Sequence, residues 1–302
     1  MNKVKNYLSL VKFSHTIFAM PFALIGFVLG ICVLQTSIVP GSNKVVFPSQ
    51  FINSLIRQFV LVLICMVTAR SAAMAFNRYL DRQFDAKNPR TAIREIPKGI
   101  ISANSALRFV IINCIVFITA TFFINKICFF LSPVALFVIL FYSYTKRFTA
   151  LCHLVLGVGL SLAPIGAYLA VTGSFALLPI LFSLAVIFWV SGFDIIFALQ
   201  DVDFDQSQKL YSIPSALGIS KALRVSELLH LVSASCVIAA GFYGGFHWLY
   251  WIGVIVFAGM LIYQHSIVKP NDLSKVNIAF MTANGIASVV FAVFVIADLL
   301  IL

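Results

Sequence analysis

The sequence predicts an all-α, polytopic membrane protein with nine transmembrane helices in a single bundle and a cytoplasmic N-terminus. Three observations carry this. The 302 residues are 61% hydrophobic and only 10% charged, outside the range of soluble domains. The mean hydropathy is +1.03. The basic residues are also distributed unevenly between alternate loops.

A membrane span takes about 20 apolar residues, and nine stretches qualify: 16–35, 56–79, 105–124, 127–144, 151–171, 176–199, 225–244, 247–265 and 278–300. The first follows Lys3, Lys5 and Lys12 as a signal peptide would, but it lacks a small-residue cleavage site and eight more spans follow it. It is expected to stay as a helix.

With the N-terminus and every second loop taken as one side, that side holds seventeen of the 21 Lys and Arg residues. The other side holds Lys44, Arg57 and Lys126, and Arg70 lies inside a span. This is the positive-inside pattern. It accounts for the net charge of +11 through topology and anionic-lipid contact, and excludes nucleic acid as the partner. The six cysteines lie in or beside spans without a CxxC pair, as buried inert thiols do. No stretch has room for a soluble domain, so 1–302 reads as one membrane domain.

In chain order, Gly26 and Gly30 form a small-residue helix contact. The loop from Thr36 to Ser54, with Pro40, Gly41 and Pro48, is expected outside. Two long loops, roughly 86–104 and 206–223, fall on the cytoplasmic side, which marks that face as the working one. The loops resemble each other. Ile96-Pro97, Gly99, Ser102 and Ala106-Leu107-Arg108 are echoed by Ile213-Pro214, Gly218, Ser220 and Ala222-Leu223-Arg224. A DxxxD precedes each, so a weak internal repeat is expected, with aspartate motifs at 77–85 and 194–205. Trp248, Tyr250 and Trp251 read as an aromatic belt at an outer helix start.

Six of the ten acidic residues belong to these two motifs. Asn77, Asp81 and Asp85 recur every four residues and share a helix face with Arg70. Asp194, Asp201 and Asp205 share a face in the same way, while Asp203 points away. Both stripes are placed at C-terminal helix ends, where the dipole disfavours negative charge. An acid inside a span costs about 2.5–3.5 kcal/mol even on the milder scales. Cations must compensate. Carboxylates beside an Asn are hard ligands suited to Mg²⁺, which substrate phosphates complete. Arg70, Arg78, Lys146, Arg147 and Lys209 supply positive charge for a diphosphate.

NRYLDRQFD fits the NxxxDxxxD pattern of the UbiA superfamily of intramembrane prenyltransferases, and Asp194 to Asp205 fits its second aspartate motif. YSYTKRFT and the HLVLGVGLSLAPIGAYLAVTG shortly after it also resemble family segments, so the likeness spans nearly the whole chain. It looks closest to 4-hydroxybenzoate polyprenyltransferases and their menaquinone-pathway relatives. Arg78 stands where the NDxxDxxxD form has Asp.

The resemblance implies a nine-helix bundle around a central cavity, with both motifs beneath cytoplasmic loops. The implied reaction moves a polyprenyl group from its diphosphate to a ring carbon of an aromatic acid, for ubiquinone or menaquinone, in a bacterial-type inner membrane. It implies Mg²⁺ on Asn77, Asp81, Asp85, Asp201 and Asp205, and Asp194 as the catalytic group that polarises the acceptor's hydroxyl. It implies substrate contacts from Tyr142 and from the Lys146-Arg147 pair. His15, at a helix entrance, is a further candidate for touching the acceptor, whereas His153, His230, His247 and His265 show no ligand spacing.

Two rivals make different predictions. CDP-alcohol phosphotransferases share Ala69-Arg70 and a DxxxD, but their pattern needs an intervening glycine that is absent between Arg70 and Asp81. A cation-coupled transporter would place acids at the bilayer midplane.

Overall fold

The computed structural model describes residues 3–12, 18–38 and 49–301. His15 and most of the predicted outer loop, 39–48, lie outside the described residues. Among the described residues the regular elements are all helices, joined by turns and loops. Helix α1 (Lys3–Leu10) precedes α2 (Met20–Ile38), α3 (Ser49–Leu80) and the short α4 (Arg82–Lys87). Then come α5 (Ala103–Ile124), α6 (Lys126–Thr145), α7 (Cys152–Thr172) and α8 (Leu177–Ala198). A 3-10 turn, Leu199–Asp201, leads into α9 (Val202–Ser207), followed by α10 (Ile213–Leu217), α11 (Ile219–Gly244) and α12 (Trp248–Ile267). A π-helical segment, Ile278–Ala283, runs into α13 (Asn284–Ile301).

Among the described residues, eight helices are long and apolar enough to cross a membrane. The first predicted span corresponds to α2, whose apolar stretch is shorter, Met20–Gln35. Exposed Phe122, Phe130, Phe137 and Ile262 belong to the lipid-facing surface such a bundle needs.

Helix α8 is central, packing against α7 and α11, while α3 packs on α5 and α2 on α7. Phe22, Phe182, Trp189, Tyr250, Phe257 and Phe291 are fully buried and join α2, α8, α12 and α13. The glycine pair of α2 makes its expected contact. A Cβ on Gly26 would lie 2.0 Å from the Pro164 carbonyl oxygen, and one on Gly30 would lie 2.8 Å from Val171 Cβ. Only glycine lets these two backbones approach so closely.

One expectation is corrected. Trp248 is exposed as a belt residue should be, but Tyr250 is fully buried and its hydroxyl donates to the Val237 carbonyl at 2.6 Å. The ring is a core residue whose polar tip found an internal acceptor. The start of α12 is held by a buried acid on α13. Asp298 accepts the backbone N–H groups of His247 at 2.9 Å and Tyr250 at 3.1 Å, satisfying donors that a helix start leaves free.

The two aspartate motifs are built alike. Helix α3 ends one residue before Asp81, α8 gives way to the 3-10 turn that ends at Asp201, and a six-residue helix continues beyond each aspartate. Asp81 has φ −88°, ψ 5°, and Asp201 has φ −111°, ψ 8°, both near the sparsely populated bridge region. Asp85 and Asp205 therefore fall in the first turn of a new helix. For Asp85 and Asp205 the expectation that these acids oppose a helix dipole is reversed, because each lies in the first turn of a short helix, whereas Asp81 and Asp201, at the breaks, make no side-chain capping bond. The loops after each motif also share a left-handed glycine, Gly99 (φ +69°) and Gly218 (φ +78°), ahead of α5 and α11.

Candidate active site

Asn77, Asp81, Asp85, Asp194, Asp201 and Asp205 all line one cavity of about 650 Å³. Arg70, Arg78, Tyr142, Lys146 and Arg147 line it too. Lys209 does not, and its side chain is exposed after the last turn of α9. Asp203, Arg82 and Gln83 are absent from the lining, as the helical spacing predicts.

Asp81, Asp85, Asp201 and Asp205 each have a basic partner. Arg147 lies 2.9 Å from Asp81, Arg94 lies 2.7 Å from Asp85, and Lys146 lies 2.8 Å from Asp205. Arg90 pairs with both oxygens of Asp201. The adjacent residues Lys146 and Arg147, just past α6, thus divide between the motifs, one binding each. The loop after the first motif crosses over as well, since Arg90 and Asn88 both reach Asp201, the latter at 3.1 Å. Asn77 donates to Asp81 at 3.1 Å, one turn along the helix.

These contacts also explain the break after Leu80. Arg147 donates to the Leu80 carbonyl at 3.2 Å as well as to Asp81, taking over a helix-end acceptor. Burial pushes the Asp81 carboxyl above its ordinary value, with Arg147 acting in the opposite direction. Lys146 stays above an ordinary lysine although burial works against its charge, because Asp205 stands beside it.

A second, apolar cavity of about 420 Å³ runs between α3, α5, α6 and α7. Arg70, Met74, Tyr142, Leu156 and Leu160 line both spaces, so the polar chamber and the apolar channel adjoin there. Arg70 has no ion-pair partner among the described residues, and its buried Nε has no hydrogen-bond partner. Arg78 instead faces Glu95 at 3.5 Å, and Glu95 accepts from Ser9 of α1 at 2.5 Å.

The donor set suits Mg²⁺ with one qualification. Among the described residues, no three His, Cys, Asp or Glu side chains converge as a metal cage. Hard carboxylates on two facing motifs, with the buried Asp85 Oδ2 left without a hydrogen-bond partner, fit an ion whose sphere is completed by phosphate and water.

Four residues of this network were not singled out from sequence as site residues: Asn88, Arg90, Arg94 and His153. The arginines carried a signal, because Arg90 and Arg94 repeat the four-residue step of the aspartates they serve. His153 carried none. Its Nδ1 lies 2.7 Å from Asp194, a contact between α7 and α8 that no sequence spacing reports.

A helical membrane protein with an ion-paired aspartate chamber opening onto an apolar channel is built for an amphiphile with an anionic head. The UbiA prenyltransferase family matches residues 46–286, and the chain belongs to that family; it is a prenyltransferase and an integral membrane protein. It is 31% identical over 239 residues to 4-hydroxybenzoate octaprenyltransferase of Paraburkholderia phymatum, covering 79% of this chain and 82% of that one. The protein of the same name from Tolumonas auensis is 29% identical over 223 residues, 74% of this chain and 78% of that one. The apo structure of a UbiA homolog from Aeropyrum pernix K1 matches with a TM-score of 0.75 at 27% identity, covering 94% of this chain and 96% of the other. A UbiA homolog from Archaeoglobus fulgidus, bound to GPP and Mg²⁺, shares the fold with a TM-score of 0.69 at 19% identity, over 97% of this chain and 99% of that one.

Proposed function

We propose that this enzyme transfers a polyprenyl group from polyprenyl diphosphate to a ring carbon of an aromatic acid of the 4-hydroxybenzoate kind, in respiratory quinone biosynthesis. The observation that carries the reading is the junction at Arg70 and Tyr142, where the aspartate chamber meets the apolar channel. A polyprenyl diphosphate has the same division, an anionic head on an apolar tail, and the tail needs a channel that water does not fill.

In this reading Asn77, Asp81, Asp85, Asp201 and Asp205 hold Mg²⁺. When bound, the metal supplies charge neutralisation to the leaving diphosphate. Arg90, Arg94, Lys146 and Arg147 bind the diphosphate oxygens once they turn from their carboxylates, so each cation has a resting partner and a working one. Lys209 remains a candidate for the approach of the anionic head from the loop outside the chamber. Tyr142 orders the boundary between head and tail. Arg70, a cation without a carboxylate at that boundary, receives the acceptor's carboxylate, and Asp194 accepts a hydrogen bond from the acceptor's hydroxyl, making the ring electron-rich. Apolar walls keep water from the allylic centre, where it would yield a prenyl alcohol.

Helix α2 completes a nine-span bundle, with the basic loops and the chamber mouth at the cytoplasmic face of a plasma membrane, where bilayer lipid is the standing partner. The likeness of the Asp81 and Asp201 breaks supports a chain of two weakly repeated halves within one domain.

The test is mass spectrometry of products after incubating the purified protein with Mg²⁺, a series of prenyl diphosphates and several aromatic acids. A C-prenylated hydroxybenzoate or hydroxynaphthoate is expected. Consumption of no prenyl diphosphate with any acid would overturn the assignment.

A further inference from the structure

His153 is a buried ionisable group that lines the chamber, touches Asp194 and has no part in the reading above. It sits in the first turn of α7 with 2% exposure. Its Nδ1 is 2.7 Å from Asp194 Oδ2, and its Nε2 accepts the Ile213 backbone N–H at 3.3 Å. A ring nitrogen that accepts carries no proton, so the proton is on Nδ1 and points at the carboxylate. Asp194 itself is 24% exposed and lines the chamber. Its Oδ1 has no hydrogen-bond partner among the described residues.

The other end of the ring leads to the diphosphate side. Ile213 follows Ser212, whose hydroxyl donates to Asp205 Oδ2 at 3.1 Å. Ser191, three residues before Asp194 on α8, shares its hydroxyl proton between the Ile187 carbonyl at 2.6 Å and the His153 carbonyl at 3.1 Å, so α8 lies against the start of α7 that carries the ring. One short path of hydrogen bonds and two adjacent residues therefore runs from Asp205 through Ser212, Ile213 and His153 to Asp194.

We infer that His153 is a positioning residue for prenyl transfer: it holds Asp194 with one oxygen turned to the acceptor's hydroxyl and ties that carboxylate to the loop bearing Ser212. This rests on the function proposed above. A carboxylate on the chamber wall can rotate about its side-chain torsions, and a single directed donor removes that freedom. With Oδ2 occupied by the Nδ1–H, Oδ1 is the oxygen left to accept from the acceptor's hydroxyl. The acceptor then meets a carboxylate already aimed, while the prenyl diphosphate meets groups His153 does not contact.

The test compares His153→Leu, which removes the donor, with His153→Asn, whose amide can donate from the Nδ1 position. Kinetics with the acceptor are measured alongside binding of geranyl diphosphate with Mg²⁺ by calorimetry in detergent. For His153→Leu we expect kcat to fall by about 100-fold, with the affinity for geranyl diphosphate within about twofold of wild type. His153→Asn should recover kcat to within about tenfold. The inference is overturned if His153→Leu turns over within about threefold of wild type, if the Asn variant is as impaired as the Leu variant, or if geranyl diphosphate binding falls together with kcat. Failure of the underlying reading looks different: wild type binds geranyl diphosphate yet prenylates no aromatic acid.

Discussion

Replacing Lys146 by Met should separate the two jobs of the ion pair at Asp205. Asp205 is fully buried, Lys146 is 34% exposed, and their charges are 2.8 Å apart. At that separation the attraction is about 6 kcal/mol for an effective dielectric near 20. Desolvation of both ions opposes most of it, and solvent at the exposed end of Lys146 screens the rest. Removing the lysine leaves a buried carboxylate with Ser212 as its remaining hydrogen-bond donor. The expected net loss is about 2 kcal/mol, or roughly 4 °C in melting temperature for a chain of this size. The double variant Lys146→Met/Asp205→Asn removes the stranded charge and should melt within about 1 °C of wild type, while remaining inactive because both binding groups are gone. Thermal unfolding in detergent and prenyl-transfer assays read these separately. A double variant that melts no higher than Lys146→Met would refute the argument, since the loss would then come from packing of the lysine stem.

Asp81→Ala and Asp201→Ala should each lower turnover by at least about 1,000-fold while the protein still inserts and purifies as a monodisperse species; retained turnover in both would sink the metal assignment. Arg70→Leu should raise the KM for the aromatic acid by about tenfold or more and leave the KM for prenyl diphosphate nearly unchanged, and equal rises in both would place Arg70 on the diphosphate. Because burial raises the Asp81 carboxyl, its proton competes with metal at higher pH than an ordinary aspartate's would. Activity should fall as pH drops through that raised value, and the acid limb should move to lower pH as Mg²⁺ is increased. A limb that ignores Mg²⁺ concentration would assign it to another group.

The bundle was legible in the sequence because its signals are local: apolar length, basic loops and the glycine step at Gly26 and Gly30. The aspartate faces were legible for the same reason, since residues four apart on a helix meet whatever surrounds them. The breaks at Asp81 and Asp201 were not. They depend on groups brought from elsewhere, such as Arg147 reaching the Leu80 carbonyl from the end of α6. Tyr250 read as a belt residue because its neighbours Trp248 and Trp251 are aromatic, and only the Val237 carbonyl opposite it reveals a buried acceptor. His153 was invisible because a lone histidine beside an apolar run is usually inert, and the contact with Asp194 closes across two helices.

The pairing pattern bears on how the site can admit a substrate with three or more negative charges. If each motif were neutralised by cations from its own helix, the two halves could separate without electrostatic cost. Here the partners cross. Arg90 follows the first motif and binds the second, while Lys146 and Arg147 are neighbours just past α6 that bind opposite motifs. Pulling the halves apart would strand charges on both sides, so the aspartates are held facing each other before any ligand arrives. Four carboxylates matched by four cations also leave the chamber walls near neutrality, which lowers the repulsion an incoming diphosphate would meet from aspartates alone. In the proposed function, binding would exchange partners within this frame: Arg90, Arg94, Lys146 and Arg147 would turn to phosphate and the aspartates to metal, leaving little reorganisation for the reaction step.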